Sequence, residues 1–373
     1  MSAPVLGGAA AAAALRRCAV APGDVDEVIF GNARQAGGGP NPARQIARLA
    51  GLPPEVPAYT INKACGSGLK SIVAAAQAIR CGDAGIVLAG GTESMSGLPH
   101  FLPAARFGTP EGDITLEDGM YRDGFMCPLC GQLMGETAET LADRYAITRE
   151  EQDAYAAATQ VRCERARKAG IFAEEIVPVD VPPSAGVPAR RIEHDEHPRD
   201  GVTPGKMAKL PPVFRTNGTV HAGNSSGITD GAAAMVVMSG EEARRRAIKG
   251  AFRLSGYASA GVEAAIMGLG PVPAMRSLAV RTGIDPCDAD IIELNEAFAA
   301  QVLACQRELK IDPSRLNVNG GAIALGHPIG ATGARIVVSL LHEMGRRKCA
   351  RGVATLCISG GMGMAALFEP SPS

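Results

Sequence analysis

The sequence lacks the features that would tie it to nucleic acid or to a membrane. Its 37 lysines and arginines nearly balance its 38 aspartates and glutamates, and the net charge of -1 offers no electrostatic attraction for either partner. No apolar run approaches the roughly 20 residues that a bilayer-spanning helix needs, even at residues 72–79. We therefore expect a protein that works on small molecules, with neither nucleic acid nor membrane as a partner.

Signals for secretion, disulfides and metals are also missing. The apolar opening at residues 2–15 has no basic residue before it, because Arg16 and Arg17 follow it, so we interpret it as a helix. The ten cysteines show no regular framework, which suits a reducing compartment and predicts a cytoplasmic protein with free thiols. Cys127 and Cys130 have a zinc-like spacing, but no second pair accompanies them, so no metal is expected.

An internal repeat organises the rest of the chain. A helical pattern at residues 9–18 and an apolar segment ending at Asn32 reappear at residues 274–282 and before Asn295. Each copy continues with a short strand, a glycine-rich turn that opens a helix, and an apolar strand ending in glycines. Strands that alternate with helices predict two layered α/β halves.

The first copy is interrupted by a long insertion. The second copy runs directly into its last strand at residues 365–369, whereas the first finds its equivalent only at residues 232–239. We therefore predict a first half formed by residues 1–94 and 223–245, an inserted loop domain at residues 95–222, and a second half at residues 246–373. Long loops on a rigid scaffold often bind ligands, and we expect the same here.

The second copy opens with a strand at residues 252–257 that has no counterpart ahead of the first helix. We therefore expect the first N-terminal strand of the first half to be missing. Two neighbouring strands would then lose a hydrogen-bonding partner, at about 1 to 3 kcal/mol for each orphaned buried group. We accordingly hypothesise that Met1 is an internal start within a longer reading frame, and that the chain is unstable or poorly active.

Two equivalent turns of the repeat carry residues suited to nucleophilic chemistry. Cys65 lies between a short strand and a helical pattern at residues 69–80, where the helix dipole and free N–H groups favour a thiolate. His327 lies in the matching turn of the second copy, and neutral imidazole is the usual base for a nucleophilic thiol. We predict that pseudo-twofold halves bring the two turns together. A buried inert cysteine and a satisfied core histidine are the alternatives.

Two further candidates stand at the ends of apolar strands. Cys357 precedes a glycine turn, and taken alone it would be interpreted as a core residue. Asn295 and Glu296 follow the strand at residues 291–294, at the carboxyl end where α/β sites form. A helix N-cap is the alternative role for Asn295.

Six blocks of the sequence together resemble the thiolase family. They occur in the family's order and cover nearly the whole chain: NKACGSG at 62–68, GGTESM at 90–95, AGNSSG at 222–227, NEAFA at 295–299, GGAIALGHPIGATG at 320–333 and CISGGMG at 357–363. The resemblance implies an α/β fold of two similar halves in five layers, αβαβα. It also implies that the inserted loop domain binds coenzyme A.

The resemblance implies roles for the residues that match. Cys65 would accept the acyl group, His327 would activate it and help to polarise the thioester carbonyl, and Cys357 would move the proton at the α-carbon of acetyl-CoA. Asn295 would hold a water that joins His327 in an oxyanion hole, while the backbone N–H groups of Cys65 and Ser359 would form a second one. The family usually has glycine where Ser359 stands, but the backbone donor is kept.

Further positions match residues that contact the substrate in this family. Those along the coenzyme A chain are Arg199, Leu210, Ala222 and Ser226, and those lining the acyl pocket are Met267 and Phe298. Leu133 departs from the histidine that acetoacetyl-CoA-specific members often carry, and Lys206 replaces a small polar residue near the adenine. The family's first strand, which we expect at a central place in its sheet, and its Arg-Thr-Pro loop are absent.

The function implied is that of an acetyl-CoA C-acyltransferase. It would catalyse reversible Claisen condensation or thiolysis of acetoacetyl-CoA or another 3-ketoacyl-CoA, using coenzyme A thioesters and no cofactor, as a homodimer or homotetramer. A ketoacyl synthase of the same fold pairs its cysteine with two histidines or with histidine and asparagine, so Cys357 favours thiolase. A catalytically weak acyl-CoA-binding or lipid-binding member of the superfamily stays open as the alternative.

Overall fold

The first copy of the repeat alternates helices with strands, and the local sequence explains where its helices end. A computed structural model describes residues 1–108, 111–183, 186 and 188–372. The first helix has a proline in its first turn and ends on Arg16 and Arg17, whose charges suit a helix C-terminus. The third ends at Gly82, whose φ of 83° is left-handed. The elements are α1 (Ala3–Arg17), β1 (Glu27–Gly31), α2 (Pro42–Leu49), β2 (Ala58–Ile61), α3 (Ser67–Cys81) and β3 (Ile86–Glu93).

The insertion contains two long helices and several short strands. The two long helices are separated at Ala146, whose φ is 47°, and the second begins after Thr148 with a capping box to Glu151. The elements are β4 (His100–Phe101), β5 (Glu117–Asp118), β6 (Met126–Cys127), β7 (Gln132–Leu133), α4 (Met134–Arg144), α5 (Arg149–Lys168), β8 (Val179–Val181), β9 (Arg190–Ile192) and α6 (Pro204–Met207).

The chain then completes the first half and forms the second. The strand predicted at residues 252–257 extends to residue 261, and a proline-rich segment starts the helix that follows it. The elements are β10 (Gly231–Met238), α7 (Gly240–Arg245), β11 (Phe252–Gly261), α8 (Pro271–Thr282), β12 (Ile291–Leu294), α9 (Ala299–Leu309), α10 (Ala322–Leu325), α11 (Ile329–Arg347), β13 (Gly352–Ile358) and β14 (Met362–Pro370).

Each half contains one mixed sheet, and the two sheets have matching strand orders. The first has the order β10-β3-β1-β2, with β1 parallel to β2 and β3, and β10 antiparallel to β3. The second has the order β11-β14-β13-β12, with β13 parallel to β12 and antiparallel to β14. An isolated bridge between Ile292 and Leu316 stands where β2 stands in the first sheet. The predicted duplication is therefore confirmed, with β10 as the counterpart of β14.

The central place predicted for the first strand of a half is wrong. In the second sheet β11 pairs with β14 alone, so it is an edge strand rather than a central one. Among the residues that the structure describes, no strand pairs with the outer side of β10. One strand therefore lacks a neighbour, not two, and exposed sheet edges are tolerated in folded proteins. The expected cost to stability is correspondingly smaller.

The two sheets pack on either side of a central helical layer. α3 and α11 lie between the sheets, and α1 with α2 and α8 with α9 cover the outer faces. The central core is built from aliphatic residues of both sheets and both helices, such as Ile29, Leu69, Val87, Leu340 and Leu356, all fully buried. This arrangement confirms the five-layered αβαβα fold.

Glycines allow the two central helices to approach closely near their N-termini. A Cβ on Gly68 of α3 would lie 2.6 Å from the backbone nitrogen of Ala334, and a Cβ on Gly333 of α11 would lie 2.3 Å from that of Leu69. Both gaps are too short for any side chain, so only glycine fits. The contact places the turns that precede the two helices side by side.

A strand added ahead of Met1 is expected to stabilise the chain. With the alternation of residues 252–261, it would pair antiparallel with β10, as β11 does with β14. At about 0.5 to 1.5 kcal/mol for each hydrogen bond formed, the melting temperature is expected to rise by about 5 °C. Calorimetry would compare the unextended chain with the strand-extended chain. A chain whose added strand carries two prolines, which cannot donate backbone hydrogen bonds, is the control. Equal melting temperatures for the unextended and strand-extended chains would show that the added strand does not stabilise the sheet by pairing with β10.

Candidate active site

The turn before α3 holds Cys65 in a defined and unusual conformation. Ala64 has a left-handed φ of 45°, and its N–H donates to the Asn62 side-chain oxygen at 3.0 Å. The Ser67 hydroxyl accepts from the Lys63 N–H at 2.8 Å and donates to the Ala64 carbonyl at 2.6 Å. These local hydrogen bonds fix the direction in which the cysteine side chain leaves the backbone.

The surroundings of Cys65 favour a thiol rather than a thiolate. α3 begins at Ser67, two residues later than the sulfur-bearing residue. Burial raises the pKa of the Cys65 thiol, and this outweighs the lowering by the backbone N–H of Ser359, by the charge of Arg34 and by its own backbone. The prediction that the helix N-terminus would favour the thiolate is therefore wrong. The proximity of the Ser359 and Cys65 backbone groups to this sulfur agrees with the donor pair predicted for one oxyanion hole.

His327 is held as a neutral base whose Nε2 is free to accept a proton. The Thr332 hydroxyl donates its hydrogen to the Pro328 carbonyl at 2.9 Å, so at 2.6 Å it accepts from Nδ1–H of His327. Burial, followed by the charges of Arg335 and Arg34, lowers the pKa of His327 to about 3. The imidazole is uncharged at neutral pH, with its unprotonated nitrogen directed away from Thr332.

Asn295 lies beside this histidine, and its neighbour Glu296 does not. The Asn295 Nδ2 is 3.5 Å from Nε2 of His327, and its Oδ1 is buried without a partner among the described residues. The next helix takes Phe298 as its N-cap, so a capping role for Asn295 is wrong. Glu296 is also not a site residue, because its carboxylate accepts hydrogen bonds from Tyr155, Thr159, Asn317 and the backbone of Ile323.

Cys357 is a buried thiol close to Cys65. It lies in β13 and is 1% exposed. Burial raises its pKa well above the usual value, and a thiolate at Cys65 would raise it further. Cys357 packs with Met267 and Phe298, the two residues predicted to line the acyl pocket.

One cavity of about 710 Å³ gathers nearly all the predicted residues, a size typical of small-molecule sites. Cys65, His327, Cys357 and Ser359 line it together, and so do the residues predicted to bind coenzyme A and the acyl group: Arg199, Leu210, Ala222, Ser226, Met267 and Phe298. Asn295 is not part of the cavity lining, but it lies beside His327, which is. The alternatives of an isolated core cysteine and an isolated core histidine do not fit this arrangement.

Sequence reasoning missed one charged residue of this cavity. Arg34 lines it together with Cys65, although the residue itself is only 9% exposed. Its position could have been found from the repeat, because Asn32 follows β1 as Asn295 follows β12, and Arg34 then corresponds to Ala297. Ala297 lines the same cavity.

Comparison with known protein families gives a match over nearly the whole chain. Residues 1–241 match the thiolase N-terminal domain and residues 248–370 match the thiolase C-terminal domain. The chain belongs to the thiolase family. It is accordingly an acyltransferase of the thiolase type, as the arrangement of Cys65, His327 and Cys357 had indicated.

Curated relatives carry a consistent name. The acetyl-CoA acetyltransferase of Allochromatium vinosum is 50% identical over 369 residues, which cover 99% of this chain and 93% of the relative. That of Pseudomonas aeruginosa is 52% identical over 363 residues, covering 97% of this chain and 92% of the relative.

Solved structures show the same fold. The acetyl-CoA acetyltransferase of Bacillus anthracis superposes with a TM-score of 0.96 at 41% identity, covering 100% of this chain and 93% of its own. The human mitochondrial 3-ketoacyl-CoA thiolase in complex with CoA superposes with a TM-score of 0.95 at 42% identity, with the same coverage.

The rate of Cys65 alkylation is expected to rise with pH throughout the neutral range. Because the resting pair is thiol and neutral imidazole, the rate with iodoacetamide should rise about tenfold per pH unit between pH 6 and 8. Peptide mass spectrometry would follow Cys65, with the exposed Cys81 as an internal control for the reagent. A rate that is already constant in this range would indicate a preformed thiolate–imidazolium pair and contradict the assignment.

Proposed function

We propose that this thiolase catalyses the reversible condensation of acetyl-CoA with an acyl group, giving acetoacetyl-CoA or another 3-ketoacyl-CoA. The observation that carries the proposal is the shared cavity, in which a thiol, a neutral imidazole, a second thiol and backbone donors converge. Nucleophile, base and oxyanion donors are the parts that acyl transfer requires. In this proposal coenzyme A is a substrate and product rather than a bound cofactor.

In the first half-reaction Cys65 becomes the acyl carrier. Its proton passes to Nε2 of His327 as the sulfur attacks the thioester carbonyl. The negative charge that develops on the carbonyl oxygen is met by the backbone N–H groups of Cys65 and Ser359. His327 then returns the proton to the departing sulfur of coenzyme A. Because both groups start uncharged, charge develops only while the reaction proceeds.

In the second half-reaction Cys357 handles the proton of the incoming acetyl-CoA. Cys357 first gives its own proton to the neutral Nε2 of His327, and the thiolate so formed takes a proton from the α-carbon. The enolate oxygen faces the protonated His327 and a water held by Asn295, and the proton on His327 passes to the Cys65 sulfur when that sulfur leaves. The carbanion attacks the acyl group on Cys65 and the carbon–carbon bond forms as the Cys65 sulfur leaves. Thiolysis is the same sequence in reverse. The unpaired Oδ1 of Asn295 supports its role in holding a water.

We propose that coenzyme A is held by Arg199, Leu210 and Ala222 of the insertion and by Ser226, which follows it. The insertion is thus the proposed binding domain. Ser225, next to Ser226, forms a β-bridge with Phe298 and so joins the segment after the insertion to the loop after β12. Met267 and Phe298 are proposed to contact the acyl group beside Cys357. The rival interpretation as a passive acyl-CoA or lipid binder leaves the convergence of two thiols and a neutral histidine without a purpose.

A homodimer or homotetramer and a cytoplasmic location stay predictions. None of the helices in the described residues is long and apolar enough to cross a bilayer.

Replacing Cys65 with alanine is expected to abolish both acyl-enzyme formation and turnover. Intact-protein mass spectrometry after brief incubation with acetyl-CoA should show one added acetyl group on the unmodified sequence and none on Cys65→Ala. Cys81→Ala, which changes an exposed cysteine outside the cavity, is the matched control and should acetylate normally. An acetyl adduct that survives in Cys65→Ala would rule out Cys65 as the nucleophile.

Replacing Cys357 with alanine is expected to separate the two half-reactions. Acetylation of Cys65 needs no proton at the α-carbon, so the adduct should still form. Condensation should fall by about 100- to 10,000-fold, the usual contribution of a general acid or base. Acetylation and acetoacetyl-CoA formation would be measured on the same sample. Equal loss of both half-reactions would contradict this division of roles.

A further inference from the structure

Arg34 is a buried cation without a partner among the residues that the structure describes. It is 9% exposed, and its Nε is buried without a hydrogen-bond partner. Within the described residues its guanidinium forms neither a hydrogen bond nor an ion pair. Gly124 packs directly against it, since a Cβ there would lie 2.7 Å from Nε. A charge in this position is costly unless an anion from outside the chain pairs with it.

Glu93 is a fully buried acid near Arg34, and both of its carboxylate oxygens already accept hydrogen bonds from other groups. Its Oε1 accepts from Nδ2 of Asn32 at 2.6 Å and from the backbone N–H of Arg34 at 3.0 Å. Its Oε2 accepts from the backbone N–H groups of Ala33 at 3.2 Å and Gly330 at 2.8 Å. Glu93 therefore moderates the charge of Arg34 at a distance but leaves its N–H groups free.

The free guanidinium belongs to the catalytic part of the cavity. Among the influences on the half-buried Cys65 and the buried His327, its charge lowers the pKa of both. Two other cations of the cavity, Arg199 and Lys206, lie on the insertion, and each donates to a nearby carbonyl, at 3.2 Å to Glu196 and 2.8 Å to Gly201. Coenzyme A is proposed above to lie along that part of the cavity, so its phosphates do not account for Arg34.

We propose that Arg34 binds a carboxylate at the far end of the acyl group, so that the preferred substrates are 3-ketoacyl-CoA thioesters of dicarboxylic acids. The proposal rests on the function proposed above and specifies its substrate class. Arginine is well suited to this task because its planar N–H donors can hold both oxygens of a carboxylate. The apolar walls at Phe125, Met134 and Met267 would pack against the methylene groups between the two ends.

The test compares two substrates that differ only in charge. Thiolysis would be measured with the six-carbon 3-oxo-dicarboxylic monothioester of coenzyme A and with its uncharged ω-methyl ester. We expect kcat/KM to favour the free acid by at least tenfold in the natural sequence. In Arg34→Met this ratio should fall by about 10- to 100-fold, the effect of losing a hydrogen bond to a charged group. Arg34→Lys, which keeps the charge without the bidentate geometry, should give an intermediate ratio.

Several outcomes would overturn the proposal. One is a natural sequence that does not prefer the free acid, a result independent of whether any variant folds. Another is an unchanged ratio in Arg34→Met. A third is an equal loss on both substrates with a shifted pH dependence of Cys65 alkylation, which would show that Arg34 acts on the nucleophile instead. Acetylation of Cys65 by acetyl-CoA separates these results from failure of the proposed function, because without that adduct both proposals fall.

Discussion

The close contact between α3 and α11 is the constraint on which the site depends. Packed helices usually keep their axes about 8 to 10 Å apart, and side chains fill the space between them. Here Gly68 and Gly333 each face the backbone of the opposite helix, with no room for a methyl group. Gly91 of β3 lies equally close to the same region, since a Cβ there would be 2.3 Å from the carbonyl oxygen of Gly330. The turns carrying Cys65 and His327 can therefore share one cavity, although 262 positions separate them in the sequence.

Desolvation, rather than the helix dipole, sets the protonation states of the site. A helix N-terminus favours an anion by about 0.3 to 1 kcal/mol at an exposed position, whereas burial can shift a pKa by several units. The raised pKa values of Cys65 and Cys357 and the lowered pKa of His327 all follow the second effect. Cys65, His327 and Cys357 are all uncharged at rest, so donors such as the Ser359 N–H meet negative charge only as it develops. That arrangement suits a reaction in which charge appears on a substrate oxygen.

The repeated elements could be predicted from the sequence, but the properties that depend on burial and on distant contacts could not. The duplication could be recognised because Asn32 and Asn295, and the turns at Cys65 and His327, occupy matching places in two copies. The pKa of Cys65 could not be predicted, since it depends on groups as distant in sequence as Ser359. The role of Glu296 was also out of reach, because Tyr155, Thr159 and Asn317 surround it only after α5 has packed onto the second half. The edge position of β11 needed the pairing order of the sheet, which alternating strand patterns do not contain.

Duplication gives this fold two equivalent sets of strand ends, but the two sets carry different residues at the candidate site. The second half contributes His327, Asn295 and Cys357, whereas the first contributes Cys65 and, two residues beyond Asn32, the cation Arg34. Because Ala297 occupies the equivalent place in the second half, a charge there is not a requirement of the fold. The Glu93 carboxylate accepts hydrogen bonds from the Asn32 side chain and from the backbone of Ala33, Arg34 and Gly330, so none of these contacts requires a charged side chain at position 34. A buried charge that these hydrogen bonds do not require, lining the same cavity as Cys65, supports the proposed role of Arg34 in binding the substrate.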